Sequence, residues 1–295
     1  WSLRRSHALP ETAYTKAWKE NLARALSVPA LAKVSPPHDF PLSFRLKEGD
    51  SMKSWTLFSS FPGVVDDVTL GAVPGWFTEQ KTDACVRAFP QAENQLGLFI
   101  PKTKWTHKSM NDQSPEGQEA ASFGFILDKQ APVKVVLDDE SVHDLPDFGL
   151  PMPVAASVNQ AMFTLPGAEK CSVGSCWSVP AGLCYEYPVD CKVISLAQWG
   201  AREVAEVEVV CNPSGFGKWA ALGLVPNEPR FKPFIDQYAK LEFQYLHSGK
   251  VFIDVSTGLA LYHCYTNTIE TKSAQTGTTP SVVSSFFVNM LTFES

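Results

Sequence analysis

No run of apolar residues in this 295-residue chain approaches the ~20 that a helix needs to cross a bilayer, so membrane insertion is not expected. Clustered cations are also missing. Apart from Arg4-Arg5 the basic residues are scattered, and the formal net charge is −6. A nucleic-acid face needs grouped Lys and Arg against phosphates, which excludes that role as the main one. Neither a G-x-S-x-G elbow nor an H-E-x-x-H pair occurs, and Ser214-Gly215-Phe216-Gly217-Lys218 is followed by Trp219 where a phosphate loop requires Ser or Thr. The six histidines are scattered, and His263 reads as a core or edge residue of a strand. No catalytic residue, cofactor or metal is assigned. The one apparent glycosylation signal, Asn212-Pro213-Ser214, has proline in the forbidden place, which favours a chain made in the cytosol. No secretory signal pattern opens the chain, and its first residue is Trp1. That start fits a processed precursor, a trimmed chain, or a chain read from beyond a disordered arm.

Punctuation is abundant where charge is not. Charged residues make up 19 %, against 22 prolines and 18 glycines, a composition that suits many short strands and irregular loops. Of seven cysteines, Cys171, Cys176, Cys184 and Cys191 crowd into one short stretch. A zinc knot or a stapled loop competes there with reduced thiols packed in a β-rich core. The odd total favours the thiols, since cysteine packs as a small hydrophobe. The acidic run Asp138-Asp139-Glu140, with His143 and Asp144, holds no glycine for a calcium loop and reads as a solvated turn.

The pattern predicts a mainly β protein, with antiparallel β-sandwich or barrel subdomains and one or two short helices. Tyr14, Trp18, Leu22 and Leu26 recur every fourth residue after Pro10-Glu11, as in an amphipathic helix. That helix either clasps a neighbouring subunit or packs on its own domain. Residues 29–41 read as an extended linker stiffened at Pro36-Pro37. Strands are expected at 54–60, 84–89, 96–100, 122–127, 133–137 and around Val204, Val207 and Val209. A polar loop is expected from Lys102 to Ala121, and an irregular connection over 144–159. Asn227 caps a short helix that buries Phe231, Phe234, Ile235 and Tyr238. Three alternating stretches follow, KLEFQYLH, KVFIDVS and LALYHCY, predicting three strands with turns at Gly249 and Gly258.

The order Val225-Pro226-Asn227-Glu228, short aromatic helix, KLEFQYLHSGKVFIDVSTGLALY, polar loop, Pro280 and SSFFVNMLTF with its Val288-Asn289 pair resembles the end of a calicivirus capsid protruding domain. Another small-RNA-virus (picorna-like) capsid protein fits nearly as well. The resemblance covers about 90 of the 295 residues. It implies a base subdomain built from both chain ends, residues 37–90 and 196–295. A β-barrel insert spans 91–195, and an arm with the amphipathic helix occupies 1–36. The function implied is that of a viral capsid structural protein, made in the host cytoplasm and carried in the virion. Its partners would be copies of itself or other capsid subunits, and a glycan or protein receptor. The alternatives are a non-viral carbohydrate- or protein-binding β-sandwich module and an enzyme on a β-rich scaffold. Within the expected loop Trp105, flanked by Lys104 and His107, offers a flat anchor for a sugar ring or a partner's apolar patch.

Overall fold

The computed structural model describes residues 12–28, 31–34, 38–65, 72–110, 117–120, 122–137, 140–144, 164–181, 187–211, 215–219, 222–223, 225, 227–273 and 281–294. Helix α1 (Ala13–Leu26) leads into β1 (Ala32–Lys33), β2 (Phe40–Leu42), β3 (Ser51–Pro62), β4 (Trp76–Phe89) and β5 (Gln95–Ser109). Then come β6 (Gly117–Ala120), β7 (Phe123–Leu127), β8 (Pro132–Leu137) and β9 (Val142–Asp144). After β10 (Ala168–Cys171) and β11 (Cys176–Val179) follow β12 (Val189–Trp199) and β13 (Arg202–Cys211). Helix α2 (Lys232–Tyr238) precedes β14 (Leu241–Asp254), β15 (Ala260–Ser273) and β16 (Ser281–Phe293).

The fold is mainly antiparallel β and sandwich-like. Its principal sheet runs β1-β12-β13-β14-β15-β16-β3-β4-β5-β7-β8-β9, with β11 and β6 pairing as side branches on β12 and β5. Two meanders, one from each half of the chain, join where β16 pairs antiparallel with β3 from Val283↔Pro62 to Phe293↔Met52. The sheet also curls. The segment after β2 receives the β7–β8 turn through Phe44 N–H to the Lys129 carbonyl (3.1 Å), and the β14–β15 turn through Arg45 N–H to the Thr257 carbonyl (2.9 Å). Both turns thereby converge on one strand end.

Helix α1 lies on one face of this sheet. Thr12 caps it, accepting from Thr15 N–H while Thr15 Oγ1 accepts from the Thr12 N–H. Trp18, Leu22 and Ala25 are wholly buried, whereas Leu26 is 47 % exposed. The i+4 spacing of Tyr14, Trp18, Leu22 and Leu26 overshoots the 3.6-residue turn, so Ala25 replaces Leu26 on the buried stripe. Trp18 meets Phe61, Phe77 and Phe286 at ring distances of 5.8, 5.6 and 6.5 Å, and its indole N–H donates to the Ala72 carbonyl. The helix therefore packs on its own sheet. From the predicted linker, β1 adds to the sheet against β12 and β2 pairs with β10. Pro36 and Pro37 lie outside the described residues.

The opposite face is buried too. Its central row reads Gln80, Thr56, Asn289, His263, Val251, Val207 and Val193 across seven strands. Asn289 Oδ1 accepts from Ser54 Oγ (2.7 Å) and Thr56 Oγ1 (2.9 Å), tying β16 to β3 through side chains as well as backbone.

Several expectations are corrected. Residues 241–254 form one unbroken strand, so Gly249 sits mid-sheet rather than in a turn. Its role is close approach. A Cβ there would stand 2.5 Å from Tyr265 Cβ and 2.7 Å from the Cys264 carbonyl oxygen. Gly249→Ala should therefore lower stability by about 1–3 kcal/mol in urea titration. Gly217→Ala, where a Cβ meets open space, serves as the control. Gly258, at φ +80°, does occupy the β14–β15 turn. The expected long loop is also mostly strand: Lys102 to Ser109 belongs to β5, and Gly117–Ala120 pairs back on it as β6. Phe234, expected in the core, is 36 % exposed. It stacks on Tyr238 at 4.3 Å and meets Trp219 edge-on at the rim of the fold.

The expected boundary at 195/196 falls inside β12; β5 to β9, β11 and β12 belong to the main sheet, while β10 pairs with β2 in a separate two-stranded sheet. The stretch 145–163 and Cys184 lie outside the described residues. Cys171 and Cys191 are buried free thiols and Cys176 is an exposed one. Glu140 N–H bonds the Leu137 carbonyl in the β8–β9 turn, and the rest of the acidic run, Asp138 and Asp139, lies outside the described residues. Among the described residues no helix is long and apolar enough to cross a membrane.

Candidate binding groove

Period-two alternation decides which side chains of β3, β4 and β5 share the face that carries α1. On β3 these are Lys53, Trp55, Leu57, Ser59 and Phe61; their register partners on β4 include Asp83, Lys81, Glu79 and Phe77. On β5, Lys104 stands opposite Lys81 and Thr106 opposite Glu79. Toward Phe77 and Phe61 the helix covers this face. Toward Trp55 the helix ends and leaves a groove of about 470 Å3 between its last turn and the strands.

Among the described residues four cations line it, Arg24, Lys53, Lys81 and Lys104, with Asp83 as a lining carboxylate. Arg24 sits over the Trp55 ring, 4.4 Å from its centroid. Trp55 itself is buried and donates its indole N–H to Glu79 Oε1 (2.8 Å), which also pairs with Lys81 Nζ at 3.1 Å. Burial works to raise the Glu79 carboxyl pKa. The hydrogen bonds from Trp55 and Lys81, with the charges of Lys81 and Arg24, outweigh it and leave the pKa lowered. Glu79 thus stays ionised and anchors one side of the groove. Lys53 is raised by its hydrogen bond and ion pair with Glu294.

Other concavities also hold charged groups. Across α1, a groove of about 360 Å3 is lined by Leu26, Ile194 and Phe286, and its Lys250 stands in register with Glu208. In a third, of about 700 Å3, Arg45 donates to the Val255 carbonyl. Arg202 there is held by Asp254 (2.7 Å) and by the Phe293 ring (3.6 Å).

The predicted contact residues separate. Trp105 pairs with Gln80 and His107 with Thr78 on the face away from α1, while Lys104 lies on the helix face. Trp105 is half-buried. His107 is exposed, bonded to Thr78 Oγ1 at 3.1 Å and packed on Trp76. The three cannot form one contact surface, because adjacent strand residues point to opposite sides. Lys104 joins instead with Arg24, Lys53 and Lys81, which no linear spacing connects. Only the register of three strands and the helix brings them together.

Two histidines sit deep in the opposite face. His247 Nδ1 bonds Tyr187 Oη at 2.9 Å, and His263 packs against Tyr265 and Phe287. Desolvation pushes both imidazoles down to about 3. They are neutral packing groups over the physiological range.

No family model and no curated protein sequence matches this chain. Among solved structures it is similar to lipovitellin, from a study of lipid–protein interactions, at 11 % identity and TM-score 0.41. That alignment covers 85 % of this chain and 26 % of the other, so this chain spans about a quarter of that one. A mutant porin of Rh. blastica matches at 10 % identity and TM-score 0.23, over 82 % of this chain and 100 % of the porin. Likenesses this distant assign no function.

Proposed function

We propose that this chain is a structural subunit of a viral capsid, which assembles with copies of itself and presents a contact surface for attachment. The observation that supports it best is the pairing of β16 with β3 along their length. Strands β3 and β16, from the two halves of the chain, lie side by side in the principal sheet, and the segment carrying the sequence resemblance supplies β14, β15 and β16. The Val288-Asn289 pair falls at the middle of this junction, with Asn289 bound to two hydroxyls of β3. A scaffold buried on both faces is rigid, and rigid β scaffolds suit surfaces that must hold their shape through assembly. The buried, neutral His247 and His263 fit packing better than proton transfer.

Expression of the chain, followed by light scattering and negative-stain microscopy, tests this. Closed particles or a fixed symmetric oligomer are expected. A chain that stays monomeric at high concentration contradicts the assembly role. If that monomer still binds through its groove, it is a stand-alone binding module.

A further inference from the structure

We infer that a second copy of this chain docks, across a two-fold axis, on the part of the helix-bearing face that α1 leaves open over strands β12 to β14. This deepens the assembly half of the proposed function and rests on it. Two register rows define the face. One sets Lys192, Glu208 and Lys250 side by side. The next sets Asp190, Val210 and Ser248 side by side and continues to Phe286, which packs on Trp18 of the helix. Both rows therefore look toward the helix side, but the helix reaches only their far end. Val210 is 40 % exposed, and Leu246, on the same face two residues before Ser248, is 46 % exposed. Ile194, at the β12 bulge, is 40 % exposed and lines one groove with Leu26, Glu208 and Lys250. Aliphatic side chains exposed singly need no explanation. Four gathered on one face around a charged pair mark a contact surface.

The partner that fits this face is the same face. Asp190 and Glu208 balance Lys192 and Lys250, so the patch is neutral on a chain that carries −6 overall. Two such chains repel over most of their surfaces, and a neutral patch of alternating sign is where they can meet. Glu208 and Lys250 are cross-strand neighbours, yet among the described residues neither is held in an ion pair. A two-fold axis lying in the interface, along the strands between β13 and β14, exchanges those two strands. It sets Glu208 of each copy against Lys250 of the other, so the pairing occurs twice. The same operation carries β12 of one copy over β15 of the other. There the last turn of α1 is fixed by Tyr262 Oη, which donates to the Ala25 carbonyl, and Ile194 falls opposite Leu26. A patch of one charge sign would meet itself with repulsion under this symmetry. This one meets itself with complementary charge, flanked on both sides by aliphatic contacts.

Sedimentation velocity and light scattering on the full chain at rising concentration test the interface. The wild type is expected to form a dimer, or a larger assembly built from it. Glu208→Lys and Lys250→Glu, each alone, set like charges opposite each other at two symmetric places and should weaken self-association by about tenfold or more. Mixing the two variants should restore association as a one-to-one heterodimer, because every opposition of like charges then becomes Lys against Glu. A folding defect within one chain cannot be repaired that way. Val210→Lys should weaken association as well, whereas Glu93→Lys, exposed in the β4–β5 turn, should not. These side chains are exposed, so folding should survive, and circular dichroism and thermal melting check that it does. Single variants that are not rescued by mixing overturn the inference. An assembly indifferent to the single variants overturns this face alone and leaves the capsid reading standing. A wild-type chain that stays monomeric at high concentration overturns both.

Discussion

Truncating Trp18 to alanine should lower the free energy of unfolding by about 3–5 kcal/mol, measured by urea or guanidinium titration. The indole is wholly buried between α1 and the sheet, in contact with Phe61 of β3, Phe77 of β4 and Phe286 of β16. It touches strands from both halves of the chain, so its removal leaves a cavity where the two meanders join. The Ala72 carbonyl also loses its indole donor, 2.6 Å away. Leu26→Ala, one residue past the buried stripe and 47 % exposed, should cost under ~1 kcal/mol. Equal losses for the two would mean that the helix does not seat on the sheet as described.

Acidification should destabilise the fold steeply from about pH 6.5 downward. His247 and His263 are held to about 3 in the folded chain by burial, against 6.5 when unfolded. Between those values the unfolded state binds more protons than the folded one, so stability falls as pH falls. The loss approaches roughly 1.4 kcal/mol per pH unit for each histidine, or about 3 kcal/mol for the pair between pH 7.5 and 5.5. Below about pH 3 both states are protonated and these two groups add no further slope. Urea midpoints across that range measure it. His263→Phe, filling the same space against Tyr265 and Phe287, should remove about half of the slope. A flat profile through pH 5 would show that the imidazoles reach solvent.

Much of the sheet was legible because its strands carry apolar residues at alternate positions. Val207 and Val209 share one face and Trp55 and Leu57 another, which announces the strands, while Val204, three residues before Val207, lies on the other side from it. Strand ends were less legible. Gly249 carries the composition of a hairpin turn, and only its neighbours on β13 and β15 show that it fills a crowded position within one long strand. The polar run Lys104, Thr106, Lys108 against Trp105, His107 does alternate. Its helix face is left open by α1 and its other face is half-exposed, so polarity masked the strand signal. Phe234 has helical spacing with Phe231 and Tyr238, but spacing says which residues share a side and nothing about what lies opposite. The groove was illegible for a stronger reason. Arg24, Lys53, Lys81 and Lys104 come from four elements, and their proximity exists only in the register of the sheet.

Native-state hydrogen exchange tests most directly whether the two chain ends form one anchored base. One base sheet predicts that amides of β3, β15 and β16 exchange only through global unfolding, with α1 protected alongside them. The edge strand β9 and its neighbour β8 should open at lower cost. If β3 and β16 instead exchange independently of each other, or α1 exchanges freely while the sheet stays protected, the chain ends do not form a common base and the capsid reading loses its main support.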